Sequence, residues 1–222
     1  LKKLTICLAL ALASSAGFAA TSKNVNCFEL DSANPGLKKP GVCDLDRLTY
    51  GANLGTLPTA GVTVVERGIG FVHQTVFTLT AASVTVTDAT TNGAHGGIAI
   101  YDFPSASITI LGATSDLAVT AGAGGIADGA SALCSLGSVV VANTNATLTS
   151  TEADSMPSTA ATLSGGVGAC SGASTAYAMF DGTATTTDLY LNFAVPDGDS
   201  SASDTLSVTG TVTVTWTENG DN

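Results

Sequence analysis

Three carboxylates crowd the segment Asp197-Gly198-Asp199-Ser200-Ser201-Ala202-Ser203-Asp204. Asp197, Asp199 and Asp204 offer hard oxygen ligands on a flexible turn, the ligand type that suits Ca²⁺. Their spacing is not that of an EF-hand, which needs a Gly and a Glu at fixed later positions. The competing and preferred reading is an Asx-type turn, in which Asp and Ser oxygens accept bonds from local amides before a strand begins. Glu152 and Asp154 admit the same two readings.

Acid–base and nucleophilic chemistry finds little to work with. His73 falls in an alternating strand pattern and His95 in the glycine-rich loop Asn92–Gly97. Neither stands beside a Ser or Cys in a nucleophile motif, and no G-x-S-x-G elbow is present. The glycine-rich loops lack the Lys and the strand–loop–helix setting of a phosphate cradle. A glycosidase would need paired carboxylates and aromatic platforms for sugar, and the chain holds one Trp and four Tyr. No catalytic residue and no resident cofactor are expected beyond the Ca²⁺ option.

Cysteines remain. Cys7 lies in an apolar opening run, which leaves Cys27, Cys43, Cys134 and Cys170. An even set of four in an exported chain suggests two disulfides. Proximity favours Cys27 with Cys43 and Cys134 with Cys170, although four cysteines allow three connectivities. No C-x-x-C is present to suggest zinc.

The elements that must position these residues are strands. In the run Asp204–Thr217 the even positions Leu206, Val208, Gly210, Val212, Val214 and Trp216 alternate with Ser or Thr at every odd position from Ser207. A period of two marks a strand with one buried face. Asp188–Val195 alternates too, with Leu189, Leu191, Phe193 and Val195 facing in and Tyr190 and Asn192 out. These two strands, joined by Pro196–Ala202, are expected to pair. Further strands are expected at Val62–Val65, Phe71–Thr80, Ser83–Thr87, Ile98–Asp102, Ser107–Leu111, Asp116–Thr120, Val139–Ala142, Ala146–Ser150 and Tyr177–Phe180. Ala81-Ala82 would be a tight connection, and Ala121–Ala132 and most of Thr151–Ser174 loop. The fold class is therefore all-β, an antiparallel β-sandwich of roughly ten strands, of jelly-roll type.

Charge is distributed unevenly. All seven basic residues lie at or before Arg67, and residues 68–222 carry thirteen carboxylates with no Lys or Arg. Such a body cannot neutralise phosphates, so nucleic acid is not an expected partner. Lys2 and Lys3 precede the apolar run Leu4–Phe18, with Gly17 and Ala19 placed for cleavage after Ala19. That arrangement is expected to be a secretory signal peptide, too short for a membrane span. Three parts follow: residues 1–19 as signal, 20–60 as an irregular arm, and 61–222 as the sandwich, with no membrane insertion once the signal is removed.

The body resembles a family of small structural proteins of tailed bacteriophages. The resemblance lies in ERGIGFVHQTVFTLT (Glu66–Thr80), IYDFP (Ile100–Pro104), SLGSVVVANTNATLTSTEADSMPSTAATL (Ser135–Leu163) and LNFAVPDGDSSASDTLSVTGTVTVTW (Leu191–Trp216), within about residues 50–222. It implies a non-enzymatic virion component, a capsid decoration (cement) or fibre protein on the capsid exterior. Its partners would be copies of itself, often as a trimer, and the major capsid protein. The N-terminus departs from this, because virions assemble in the reducing cytosol, where signal and disulfides are out of place. The alternative is an exported bacterial surface or adhesion protein, at the cell surface or in the periplasm. A secreted carbohydrate-active module stands third.

Overall fold

The computed structural model describes residues 28–30, 38–40 and 54–219, apart from 70, 90–92, 123, 128–129, 143–146, 165, 183–186 and 197–198. The described chain is nearly all antiparallel β, 67% strand, with no α-helix. Two short strands, β1 (Phe28–Leu30) and β2 (Lys38–Pro40), pair with each other and give the expected irregular arm a small hairpin. The segment expected to be a signal peptide, Cys27 and Cys43 all lie outside the described residues.

Ten strands build the body as one continuous sheet. They are β3 (Val62–Ile69), β4 (Val72–Asp88), β5 (Ala94–Asp102), β6 (Ser107–Ala121), β7 (Leu133–Gly137), β8 (Met156–Ala160), β9 (Val167–Ala173), β10 (Ala178–Asp181), β11 (Asp188–Val195) and β12 (Asp204–Glu218). The order is β10-β6-β12-β4-β5-β11-β7-β8, with β3 on β4 and β9 on β6. The sheet curls so that β8 returns beside β9, and the sandwich core fills the inside of the curl. The long alternating segment at residues 204–218 holds the centre. β12 pairs with β4 on one side and with β6 on the other, along nearly its whole length.

The expected pairing of Asp188–Val195 with the last strand does not occur: β11 lies between β5 and β7. Turn residues between two alternating strands set only a connection, and here it crosses from one part of the curl to the other. Three further expectations are corrected. Ala81-Ala82 is not a turn but a bulge inside one 17-residue strand. There Ala81 adopts φ 49°, the register slips opposite Val208/Gly210, and Thr209 Oγ1 accepts the Ala81 amide at 3.1 Å. A bulge adds twist and bend without ending the strand, which helps the sheet curl. Ser107–Leu111 and Asp116–Thr120 likewise merge into β6, where Leu111 is the extra residue of a second bulge against Thr215/Trp216. Finally, Val139–Ala142 and the described Thr147–Ser150 form no strand, whereas β8 and β9 arise within the expected loop 151–174. Small residues in β9 suit a strand pressed edge to edge with β8: a side chain at Gly172 would run into Met156 and Thr159.

The inner face follows the alternation closely. Val212, Val214 and Trp216 are fully buried with their cross-strand partners Phe77, Thr75 and His73. Phe77, Tyr101, Phe103 and Trp216 form a chain of edge-on aromatic contacts with centroids 5.1–5.2 Å apart. That is the preferred geometry for ring quadrupoles.

Candidate functional site

The densest polar chemistry lies inside the curl, against that aromatic chain. Strand alternation puts Glu66 on the same face as Val62 and Val64, and the β3–β4 register brings it opposite Thr75, next to His73. Glu66 Oε1 lies 3.1 Å from His73 Nδ1. Its Oε2 accepts the Tyr101 hydroxyl at 2.7 Å and the Leu54 amide at 3.2 Å. The Tyr101 oxygen in turn accepts the Gly55 amide at 2.8 Å. The imidazole of His73 stacks on Trp216 at 4.3 Å, and Trp216 Nε1 donates to Thr75 Oγ1 at 2.9 Å. Burial first, and then the charge of Glu66, push the Tyr101 phenol above its ordinary range. It therefore donates as a neutral hydroxyl.

A carboxylate beside an imidazole is the pair a general base uses. Here Glu66 is 1% and His73 2% exposed, so both are shut off from solvent. What the pair does is compensate a buried charge with donors, which burial demands. Two of those donor–acceptor links run to Leu54 and Gly55, where the chain enters the body. Thr56 exchanges backbone hydrogen bonds with Asp102, and Thr59 Oγ1 donates to the Ala99 carbonyl at 2.5 Å. Residues 54–59 are thus a strap stitched along β5.

Two of the three carboxylates singled out as Ca²⁺ ligands accept hydrogen bonds from backbone amides. Asp197 lies outside the described residues. Asp199 Oδ2 accepts the Ser131 amide at 2.8 Å. Asp204 Oδ2 accepts the Gly124 amide at 3.2 Å and its Oδ1 the Thr205 amide at 2.7 Å. Asp88 joins them from β4, accepting the Ser200 hydroxyl at 3.3 Å. Asp199 and Asp204 so tie this segment to the backbone at Ser131 and Gly124, and among the described residues no three His, Cys, Asp or Glu side chains are grouped to hold a metal.

His95 corrects another expectation. It sits in β5 rather than in a loop, opposite Thr87 of β4 and Ala194 of β11. Strand positions 96 and 97 hold glycine because other groups press on them: a side chain at Gly96 would strike the Thr85 carbonyl, and one at Gly97 the Asn192 amide. Burial lowers the His95 pKa, and Asp88 opposes that only in part.

Glu152 and Asp154 lie in and after a short 3-10 turn, Thr151–Ala153. Glu152 Oε1 accepts the Thr149 amide at 3.1 Å, and Asp154 accepts both the amide and the hydroxyl of Ser138, at 3.0 and 2.6 Å. Nearby stands a residue the sequence reading turned outward. Asn192 does point away from the main core, yet it is fully buried under the segment 138–155. Its Oδ1 accepts the Val141 amide at 2.9 Å, while Nδ2 donates to the carbonyls of Val139 and Glu152 at 3.0 and 2.9 Å. Val141, Leu148 and Ala194 form a small second core there.

Cys134 and Cys170 are joined, with Cα atoms 6.1 Å apart. The bond links β7 to β9 and so fastens the two ends of the curled sheet.

One large surface is left uncovered by the described residues. Across β3, β4, β12, β6, β9 and β10 the outward residues line up in register. One row runs Val65, Val76, Thr213, Thr114, Ala173, and the next Thr63, Thr78, Thr211, Asp116, Ser171. Leu111, Tyr177 and Met179 stand exposed at one end, the last two at 75%. Arg67 and Asp116 are the charged residues of the interior of this face, with Asp181 at its far corner. The sequence matches no family model, and it finds no similar protein among the curated proteins and no similar fold among the solved structures.

Proposed function

We propose that this chain is a non-enzymatic structural subunit, a β-sandwich built into a larger assembly. The specific form is the one its sequence resemblance implies, a capsid decoration or fibre-type component of a virion that associates with copies of itself and with the capsid protein. The observation that carries the structural part is the open outer face of the β3–β4–β12–β6 layer. A face of Thr, Ser, Ala and Val with so few charges is a poor solvent boundary for a protein of net charge −11, and it invites a partner.

A second reading is favoured by one bond. Cys134–Cys170 is a disulfide, and such bonds persist chiefly outside the reducing cytosol. On that reading the chain is an exported surface or adhesion protein. Mass spectrometry of the native protein, together with proteomics of purified virions, separates the two. Finding the chain in virions, with residues 1–19 retained, supports the virion reading. Finding it trimmed after Ala19, on the cell surface and absent from virions, overturns it.

A further inference from the structure

We infer that the open outer face is an interface between two copies of this chain, packed sheet on sheet about a two-fold axis. The inference deepens the structural-subunit reading and rests on it, but it does not depend on a virion.

The chain itself distinguishes this face from its counterpart. Behind β11 it lays its own residues 138–142 and 147–155, closing that side with Asn192 and a second small core. Over the layer from β3 to β10 the described residues lay nothing, and Val65 stays 44% and Tyr177 75% exposed. The open area suffices for an interface. Five strand positions at about 4.8 Å by about 40 Å of β12 give roughly 1,000 Å², against the about 800 Å² per partner of a standard interface.

Charge selects a second copy as the occupant. Arg67 is exposed on β3 and has no ion-pair partner among the described residues, and Asp116 is exposed on β6. Three strand spacings separate their columns, about 14 Å, and four residues separate their rows, about 13 Å. They cannot meet within one chain. A two-fold axis lying in the face exchanges them between copies, pairing each Arg67 with the other copy's Asp116. Because the two offsets are nearly equal, that axis runs at about 45° to the strands and passes between Val76 and Thr213. The strands of the two sheets then cross at about 90°, one of the two ways in which sheets pack face to face.

Sedimentation velocity on the full chain over a range of concentrations tests the arrangement. The wild type is expected to dimerise. R67D and D116R should each weaken the dimer about tenfold, and the double variant R67D/D116R should restore it. T213K, which brings two ammonium groups together at the axis, should weaken it by about a hundredfold or more. All four substituted chains should keep the wild-type circular dichroism. A wild type that stays monomeric would overturn the inference and leave the face to a foreign partner or to residues of this chain outside those described. A trimer would overturn the two-fold, and rescue by R67D/D181R in place of R67D/D116R would overturn the stated geometry. A dimer that behaves as described in a protein absent from virions would sink the virion reading alone.

Discussion

Replacing both Cys134 and Cys170 by Ala opens the curled sheet's covalent fastening and should be among the most destabilising changes to the fold that add no bulk. The bond spans 36 residues. A cross-link closing a loop of that size lowers unfolded-chain entropy by an amount equivalent to about 4 kcal/mol at 25 °C. The folded state should survive the loss, since other links cross the same seam. Ser115 Oγ of β6 donates to Met156 Sδ of β8 at 3.3 Å, and Ser174 Oγ donates to the Ser155 carbonyl at 2.5 Å. For a chain of this size each kcal/mol moves the melting temperature by about 2–4 °C, so a fall of about 8–16 °C is expected. Urea unfolding followed by circular dichroism, on the double variant and each single variant, measures the effect. The slope with urea should rise slightly, because the released unfolded chain expands. A difference below about 1 kcal/mol would refute the reasoning: the non-covalent seam would then already restrict the unfolded chain.

Three other outcomes follow from the buried polar groups. Tyr101→Phe leaves Glu66 Oε2 and the Gly55 amide each one partner short, and should cost about 1–3 kcal/mol while speeding hydrogen exchange at Leu54 and Gly55. Unchanged exchange at those amides would mean that the strap is held elsewhere. Asn192→Leu strands the Val141 amide and the Val139 carbonyl and takes one of two donors from the Glu152 carbonyl, which keeps the Ser135 hydroxyl; it should cost about 3 kcal/mol, read by chemical denaturation. For His95, burial lowers the folded pKa below the ordinary 6.5, so the unfolded chain takes up the proton first. Stability should be full above about pH 7 and fall as pH drops through about 6.5. His95→Gln should flatten that part of the profile, and an equally steep profile in the variant would refute the assignment.

The alternation in residues 204–218 made the central strand readable because each inward residue there is apolar and each outward one is Ser or Thr. The same rule, applied to Val62, Val64 and Glu66, would have placed a carboxylate in the core, and applied to His73, Thr75 and Phe77 an imidazole beside it. What it could not supply was the pairing of β3 with β4 in a register that brings these two together, or Tyr101 arriving from β5. Bulges defeated the reading differently. Ala81 and Leu111 each add one residue, so the parity reverses in mid-strand and a continuous strand looks like two. Asn192 was misjudged because alternation gives only a side of the sheet, and segment 138–155 covers that side with few apolar residues to announce it. β9, made of Val, Ala, Gly, Ser and Cys, carries hardly any hydrophobic signal, and it is held instead by its close approach to β8 and by the disulfide.

The central place of β12 also has a consequence for the order of events in synthesis. The strand that lies between β4 and β6 follows both in the chain, and every other strand of the body precedes it. Until residues 204–218 have left the ribosome, β4 and β6 have no common neighbour, and each offers an open edge along most of its length. A nascent chain stalled before Asp204 therefore presents two adhesive borders without the strand that joins them. Release of β12 closes the gap in one step, so completion of the fold waits for this strand and premature termination leaves a chain prone to pair with its neighbours.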